Sequence, residues 1–176
     1  NKNPIIISGG NTIKNIFNNY NKKISNRILI SDERLVKTSS KLRNDLFFKK
    51  LVKKKIINSK KIMSYNLGYL DKKFLKNFSK KVEKTYFHFA ILSLGKMGHF
   101  ASIFKLDPYE DGDFYYVNNS PKFPRERVTV SLKKISKCKK IYFIASEKNK
   151  KKEIKDFNNN RLINKIPKEK VKLFVY

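Results

Sequence analysis

The sequence reads as an α/β domain with a mostly parallel sheet around one wrapped core, on three grounds. Short apolar or β-branched runs alternate with stretches whose apolar residues recur at helical spacing. Most of these runs stop at glycine or at a cluster of polar residues. No internal repeat or linker divides them, so strands and helices alternate within one domain, residues 1–176. A chain of 176 residues buries about 70% of the surface its unfolded form exposes, and its core needs no staple.

Pro4-Ile5-Ile6-Ile7 is a buried strand ended by Ser8-Gly9-Gly10. Ile13, Ile16, Phe17 and Tyr20 follow at helical spacing, with Thr12 as the expected cap. Arg27 to Ile30 is a second strand, leading into Ser31-Asp32-Glu33-Arg34. Leu42, Leu46, Phe47 and Leu51 place a helix up to about Lys55, and Phe74, Leu75, Phe78 and Val82 place another within the less legible stretch 56–85. Phe87 to Leu94 is the strongest apolar run and is expected to be a central strand, ended by Gly95-Lys96-Met97-Gly98-His99 with a helical turn from about Ala101. Residues 105–126 hold three of the five prolines among Asp, Gly and Asn, and read as loop. Val128-Thr129-Val130 is a strand, Leu132 to Ser136 a short helix, Ile141 to Ala145 a strand, Lys148 to Phe157 a helix and Val171 to Tyr176 the last strand.

The chain carries 42 Lys and Arg against 14 Asp and Glu, a formal net charge of +28. Counterion release would reward that charge on a nucleic acid. Yet only 6 of the 42 are Arg, the residue that forks onto bases and phosphates, and the Lys are spread along the chain without a basic tail. Lys, Asn and Ile all come from A- and T-rich codons, so base composition accounts for the excess and no specific nucleic-acid partner is expected. The field still favours anionic substrates. A single Cys, Cys138, excludes an internal disulfide and any CxxC site, and reads as a small core residue. No HExxH or Cys/His cluster appears, so no metal is expected. No apolar run approaches the ~18 residues that span a bilayer and no signal peptide is visible, so a cytoplasmic protein off the membrane is expected.

Ligands of such sheets bind outside the carboxyl ends of the strands. Four segments fall there or in the adjoining loop: Ser8-Gly9-Gly10-Asn11-Thr12, Asp32-Glu33-Arg34, Gly95 to His99, and Ser120-Pro121-Lys122. A strand–SGG–helix junction offers free N–H groups to a phosphate, though an ordinary strand-to-helix turn has the same form. Asp32-Glu33-Arg34 is either a charged site or a solvated loop. His99 is a base with a pKa near neutrality or a packed imidazole. His88, inside a strand, reads as structural.

Order and spacing tie these segments together. Ile6-Ile7-Ser8-Gly9-Gly10-Asn11-Thr12 resembles the LSGGSTP segment of the 6-phosphogluconolactonase family, Ile30 to Arg34 its GDER, and Asn44 stands at the Asn of its SNY. Leu92 to Phe104 resembles LGMGEDGHTASLF, and Ser120 to Val130 resembles SPKPPPERITL. The related glucosamine-6-phosphate deaminases share the SGG and DGH elements but not the SPK-to-ER segment.

The resemblance implies a Rossmann-like three-layer α/β enzyme of the pentose phosphate pathway that hydrolyses 6-phosphogluconolactone without a cofactor. It implies His99 as general base, Asp32 as the residue orienting the site, and Ser8, Gly9, Gly10, Thr12, Arg34, Asn44 and Lys122 around the substrate and its phosphate. It implies a small-molecule partner and a chain that lacks the family's opening helix before Asn3; a monomer is expected. The family's DGH Asp is Met97 here, which cannot support an imidazolium. A weak or silent sugar-phosphate-binding homologue and a deaminase-type isomerase are therefore the alternatives.

Overall fold

A computed structural model describes residues 3–18, 20–106 and 112–176. Six parallel strands form the main sheet: β1 (Ile5–Ile7), β2 (Ile28–Ile30), β4 (Ile62–Met63), β5 (Phe89–Ser93), β8 (Lys140–Ala145) and β9 (Val171–Val175), in the order β4-β2-β1-β5-β8-β9. Every pairing in it is parallel. Alternation sends successive side chains to opposite faces. Ile5, Ile7, Ile28 and Ile30 pack on one face against Ile13 of α1 (Asn11–Asn18) and Phe47, Phe48 and Leu51 of α2 (Asp45–Lys53). Ile6, Leu29, Leu92 and Phe143 pack on the other, against Phe78 and Val82 of α3 (Lys72–Glu83) and Ile135 of α4 (Leu132–Ser136). The result is the three-layer arrangement expected.

A second, antiparallel sheet of order β3-β7-β6 joins β3 (Asp32–Arg34), β7 (Arg127–Val130) and β6 (Phe114–Val117). Ser31 alone separates β2 from β3. Its N–H donates to Ile7 O at 2.9 Å in the main sheet, and its carbonyl accepts from Val130 N–H at 2.7 Å in the small one. Asp32-Glu33-Arg34 is therefore a strand and not a solvated loop. Likewise β6 lies within 105–126, which was expected to be loop throughout; 107–111 of that stretch fall outside the described residues.

Other boundaries move for local reasons. α1 starts at Asn11, and Lys14 N–H donates to Gly10 O at 3.0 Å, so Thr12 lies inside the first turn and caps nothing. Ala101 has φ 49, a left-handed conformation that starts no helix. α5 (Glu147–Lys155) ends before Phe157, and isolated helical turns carry the chain to β9. Cys138 is buried, its thiol pushed up to about 12 by burial, and His88 sits between the Tyr86 and Phe89 rings. Among the described residues no helix is long and apolar enough to cross a membrane.

Candidate active site

The strand order reverses between β1 and β5, since the chain runs outward through β2 and β4 before returning to β5. Crevices form at the carboxyl ends of such a pair. Here those ends carry Ser8-Gly9-Gly10 and Gly95 to His99. Ser8 is buried; its Oγ accepts from Ser93 N–H at 3.3 Å and meets Ser31 Oγ at 3.3 Å, so it stitches the two loops from beneath. Gly9 is required by close approach: a Cβ there would lie 2.3 Å from the Asn44 side chain. Gly10 precedes α1, whose first N–H groups, those of Asn11, Thr12 and Ile13, have no intrahelical acceptor.

His99 is half-buried, with its ring against Gly95; a Cβ on Gly95 would lie 2.2 Å from Cε1. Phe104 stacks on the imidazole at 4.6 Å between centroids and carries the Arg127 guanidinium 5.5 Å from its own centroid. Nδ1 of His99 lies 2.6 Å from Lys96 O. A carbonyl only accepts, so Nδ1 carries the proton, and in the neutral ring Nε2 is the free acceptor. Burial lowers the imidazole to about 4; the Lys96 carbonyl and Asp32 oppose this, and Lys122 and Lys150 reinforce it. Titration of His99 by NMR in the free protein is expected to show a midpoint near 4. A midpoint at the ordinary value of about 6.5 would place the ring in water instead.

Asp32 is buried, with Oδ1 accepting from Ser31 Oγ at 2.8 Å and Oδ2 from Ser102 Oγ at 2.7 Å. Arg127, also buried, donates to Ser102 Oγ at 3.4 Å, Lys122 O at 3.0 Å and Pro124 O at 3.0 Å. Arg127 thus ties the 120–125 loop, and with it Lys122, to the floor of the site.

Lys122 is lowered by burial and by Lys150, Arg127 and Lys96, against the pull of Glu153; Lys14 in α1 is lowered by burial, Arg34 and Lys50. Among the described residues Lys14, Lys96, Lys122, Lys150 and Arg34 form no ion pair. Arg34 donates through Nη1 to Leu42 O, while its Nε is buried without a partner. Buried polar groups are normally paired, so an unpaired Nε among unneutralised cations suits an anionic ligand.

Asn44 works underneath. Its Nδ2 donates to Asp32 O at 2.8 Å and its N–H to Glu33 Oε1 at 2.8 Å, which fixes β3 against α2. Glu33 faces the buried Arg43 rather than the crevice. A cavity of about 880 Å³ between α3, β6 and α4 contains none of these residues. Lys150 and Lys14 are not singled out in the sequence, because among so many lysines nothing marks these two; Lys96 stands within the Gly95 to His99 segment without a role of its own. Arg127 and Ser102 stood within the quoted motifs without a role.

Fold and site together define a doubly wound α/β domain with a histidine in a cation-ringed cleft at its switch point. The chain belongs to the glucosamine-6-phosphate isomerases/6-phosphogluconolactonase family, whose model matches residues 1–173. A 6-phosphogluconolactonase of Borreliella burgdorferi is 29% identical over 178 residues, 92% of this chain and 75% of that protein. The crystal structure of 6-phosphogluconolactonase from Thermotoga maritima superposes with a TM-score of 0.86 at 22% identity, covering 99% of this chain and 85% of that one. A monomeric glucosamine-6-phosphate deaminase superposes with a TM-score of 0.73 at 12% identity, over 98% of this chain and 85% of its own. At these identities the two solved structures establish the fold.

Proposed function

We propose that this chain is a cytoplasmic 6-phosphogluconolactonase, one domain acting as a monomer, which hydrolyses 6-phospho-D-glucono-1,5-lactone to 6-phosphogluconate. The observation that carries the proposal is a histidine with a free Nε2 beside cations that form no ion pair among the described residues. Family membership and the Borreliella burgdorferi relative point to the same chemistry.

The steps follow from the geometry. Lys122 and Arg34 hold the substrate phosphate, with Lys150 and the α1 N-terminus adding to the field. His99 Nε2 takes a proton from water as its oxygen attacks the C1 carbonyl. The tetrahedral intermediate collapses by breaking the bond from C1 to the ring oxygen, and the imidazolium returns its proton to that oxygen. The open-chain acid then ionises. Lys96 O and Asp32 stabilise the transient imidazolium. Asp32 touches Ser31 and Ser102 and acts as a positioning residue. A phosphate dianion also relieves the repulsion that Lys122 and Lys150 exert on His99, so the bound substrate makes its own base stronger. A lactone is an activated ester, and one placed base, worth about 10²–10⁴, is a sufficient addition to anchoring.

Phosphate anchoring is largely the same in ground and transition states, so it appears in KM. Lys122→Ala is expected to raise KM for the lactone about tenfold or more, the cost of a charge-assisted hydrogen bond, with a smaller fall in kcat. An unchanged KM would remove Lys122 from the phosphate site.

A further inference from the structure

The imidazole is oriented by the main chain of its own turn, and that turn is an unusual one. Met97 has φ 65 and ψ 18, and Gly98 has φ 75. Glycine adopts the left-handed region freely, but for Met97 it is costly, because its side chain has no polar group to bond locally. The Met97 side chain is 87% exposed, so it neither packs nor reaches the ring. Something else must hold the turn.

Two side chains from outside add to the backbone bonds that close it, Gly98 N–H to Gly95 O at 3.1 Å and Gly95 N–H to His99 O at 2.6 Å. Glu153 of α5 accepts from Met97 N–H through Oε1 at 2.9 Å. Asn160 donates from Nδ2 to Gly98 O at 2.8 Å, while its Oδ1 accepts from Leu162 N–H at 3.0 Å and Ile163 N–H at 3.1 Å. Asn160 is thereby locked before it reaches the turn. A Cβ on Gly98 would fall 2.1 Å from Asn160 Nδ2, so glycine is needed for this approach as well as for its φ. One clamp grips the N–H side of the turn and the other a carbonyl. Lys96 O, which receives the Nδ1 proton of His99, belongs to the same peptide group as the Met97 N–H that Glu153 holds.

We propose that Glu153 and Asn160 are positioning residues for His99: by fixing the left-handed turn at Met97 and Gly98 they aim Lys96 O at Nδ1 and so hold Nε2 bare and directed at the cleft. The orienting role falls to a backbone carbonyl braced from α5 and the segment after it, and needs no carboxylate at position 97. The kinetic part of this proposal rests on the lactonase reading above; the tautomer does not.

The test reads both. The chain has 2 His, so the imidazole nitrogen resonances of His99 in ¹⁵N-labelled protein are assigned by their loss in His99→Ala. In the wild type at neutral pH they are expected to show protonated Nδ1 and unprotonated Nε2. Glu153→Ala and Asn160→Ala are expected to average the two nitrogens toward a tautomer mixture. Both should also lower kcat about tenfold or more with KM within about twofold, the signature of a misplaced catalytic group. Glu153→Gln keeps an oxygen acceptor and is expected to restore the wild-type nitrogen shifts and most of the rate. The proposal is overturned if Glu153→Ala and Asn160→Ala keep the single Nδ1–H tautomer, or if Glu153→Gln loses as much as Glu153→Ala. A wild-type protein without lactonase activity would remove the functional reading, and the nitrogen shifts would still decide whether the clamp orients His99.

Discussion

His99→Ala is expected to bring hydrolysis of 6-phosphogluconolactone down to its spontaneous rate while the fold persists. General-base catalysis contributes about 10²–10⁴, and the lactone opens unaided, so loss of the base leaves little enzymatic turnover to measure. The residue is half-buried on a turn, its ring touching Gly95 and Phe104 rather than either core cluster. Thermal unfolding of the variant should therefore stay close to the wild type. Binding of the product through its phosphate should survive, because Lys122 and Arg34 remain. A variant that keeps full turnover would show that the proton is taken by another group.

The largest effect on stability is expected at Arg43. Its side chain is fully buried; it donates to Tyr65 O and Leu67 O at 2.9 Å each, and pairs with Asp45 at 3.0 Å and Glu33 at 3.6 Å. Arg43→Ala leaves the carbonyls of Val36, Tyr65 and Leu67 without that donor and Glu33 without its counter-ion; Asp45 keeps the exposed Lys49 at 2.9 Å. Breaking a buried pair from one side costs about 3–5 kcal/mol, which is a large part of the stability of an ordinary domain. Burial already pushes the Glu33 carboxyl up to about 7, against the pull of Arg43 and of the N–H groups of Asn44, Arg34 and Asp45. Without the guanidinium it rises further. A raised carboxyl keeps in the folded state a proton that the unfolded chain releases, so its contribution is present in acid and is lost as pH rises through the folded value. The deficit of Arg43→Ala, measured by urea unfolding, should therefore be smallest in acid and grow above about pH 7. A small, pH-independent deficit would show that the three backbone N–H groups alone satisfy Glu33.

Elements whose apolar residues repeat over a full strand or helix were visible in the chain: β1, β2, β5, β8 and α3 fall where periodicity places them. β3 was not, because Asp-Glu-Arg is a poor strand by composition. It is held by pairing with β7 and by Ser31, Ser102, Asn44 and Asp45, partners 1 to 70 residues distant along the chain. β6, Phe-Tyr-Tyr-Val, was lost in a stretch rich in turn formers, and only its pairing with β7 makes it a strand. At the candidate site, motif order singles out His99, Asp32, Arg34 and Lys122. The work of Ser8 and Asn44 was less legible, since both act from beneath the cleft. Lys150, Glu153 and Asn160 were hidden for a different reason: they reach the site by tertiary contact from a segment rich in Lys and Asn, where no spacing separates a working residue from a solvated one.

Side-by-side turnover of freshly generated 6-phosphogluconolactone and of glucosamine 6-phosphate by the wild-type chain decides between the two chemistries of its family. Lactone opening above the spontaneous rate, abolished in His99→Ala, with no ammonia from glucosamine 6-phosphate, is the predicted result. Ammonia release, or no acceleration of lactone opening by a folded protein, would contradict it.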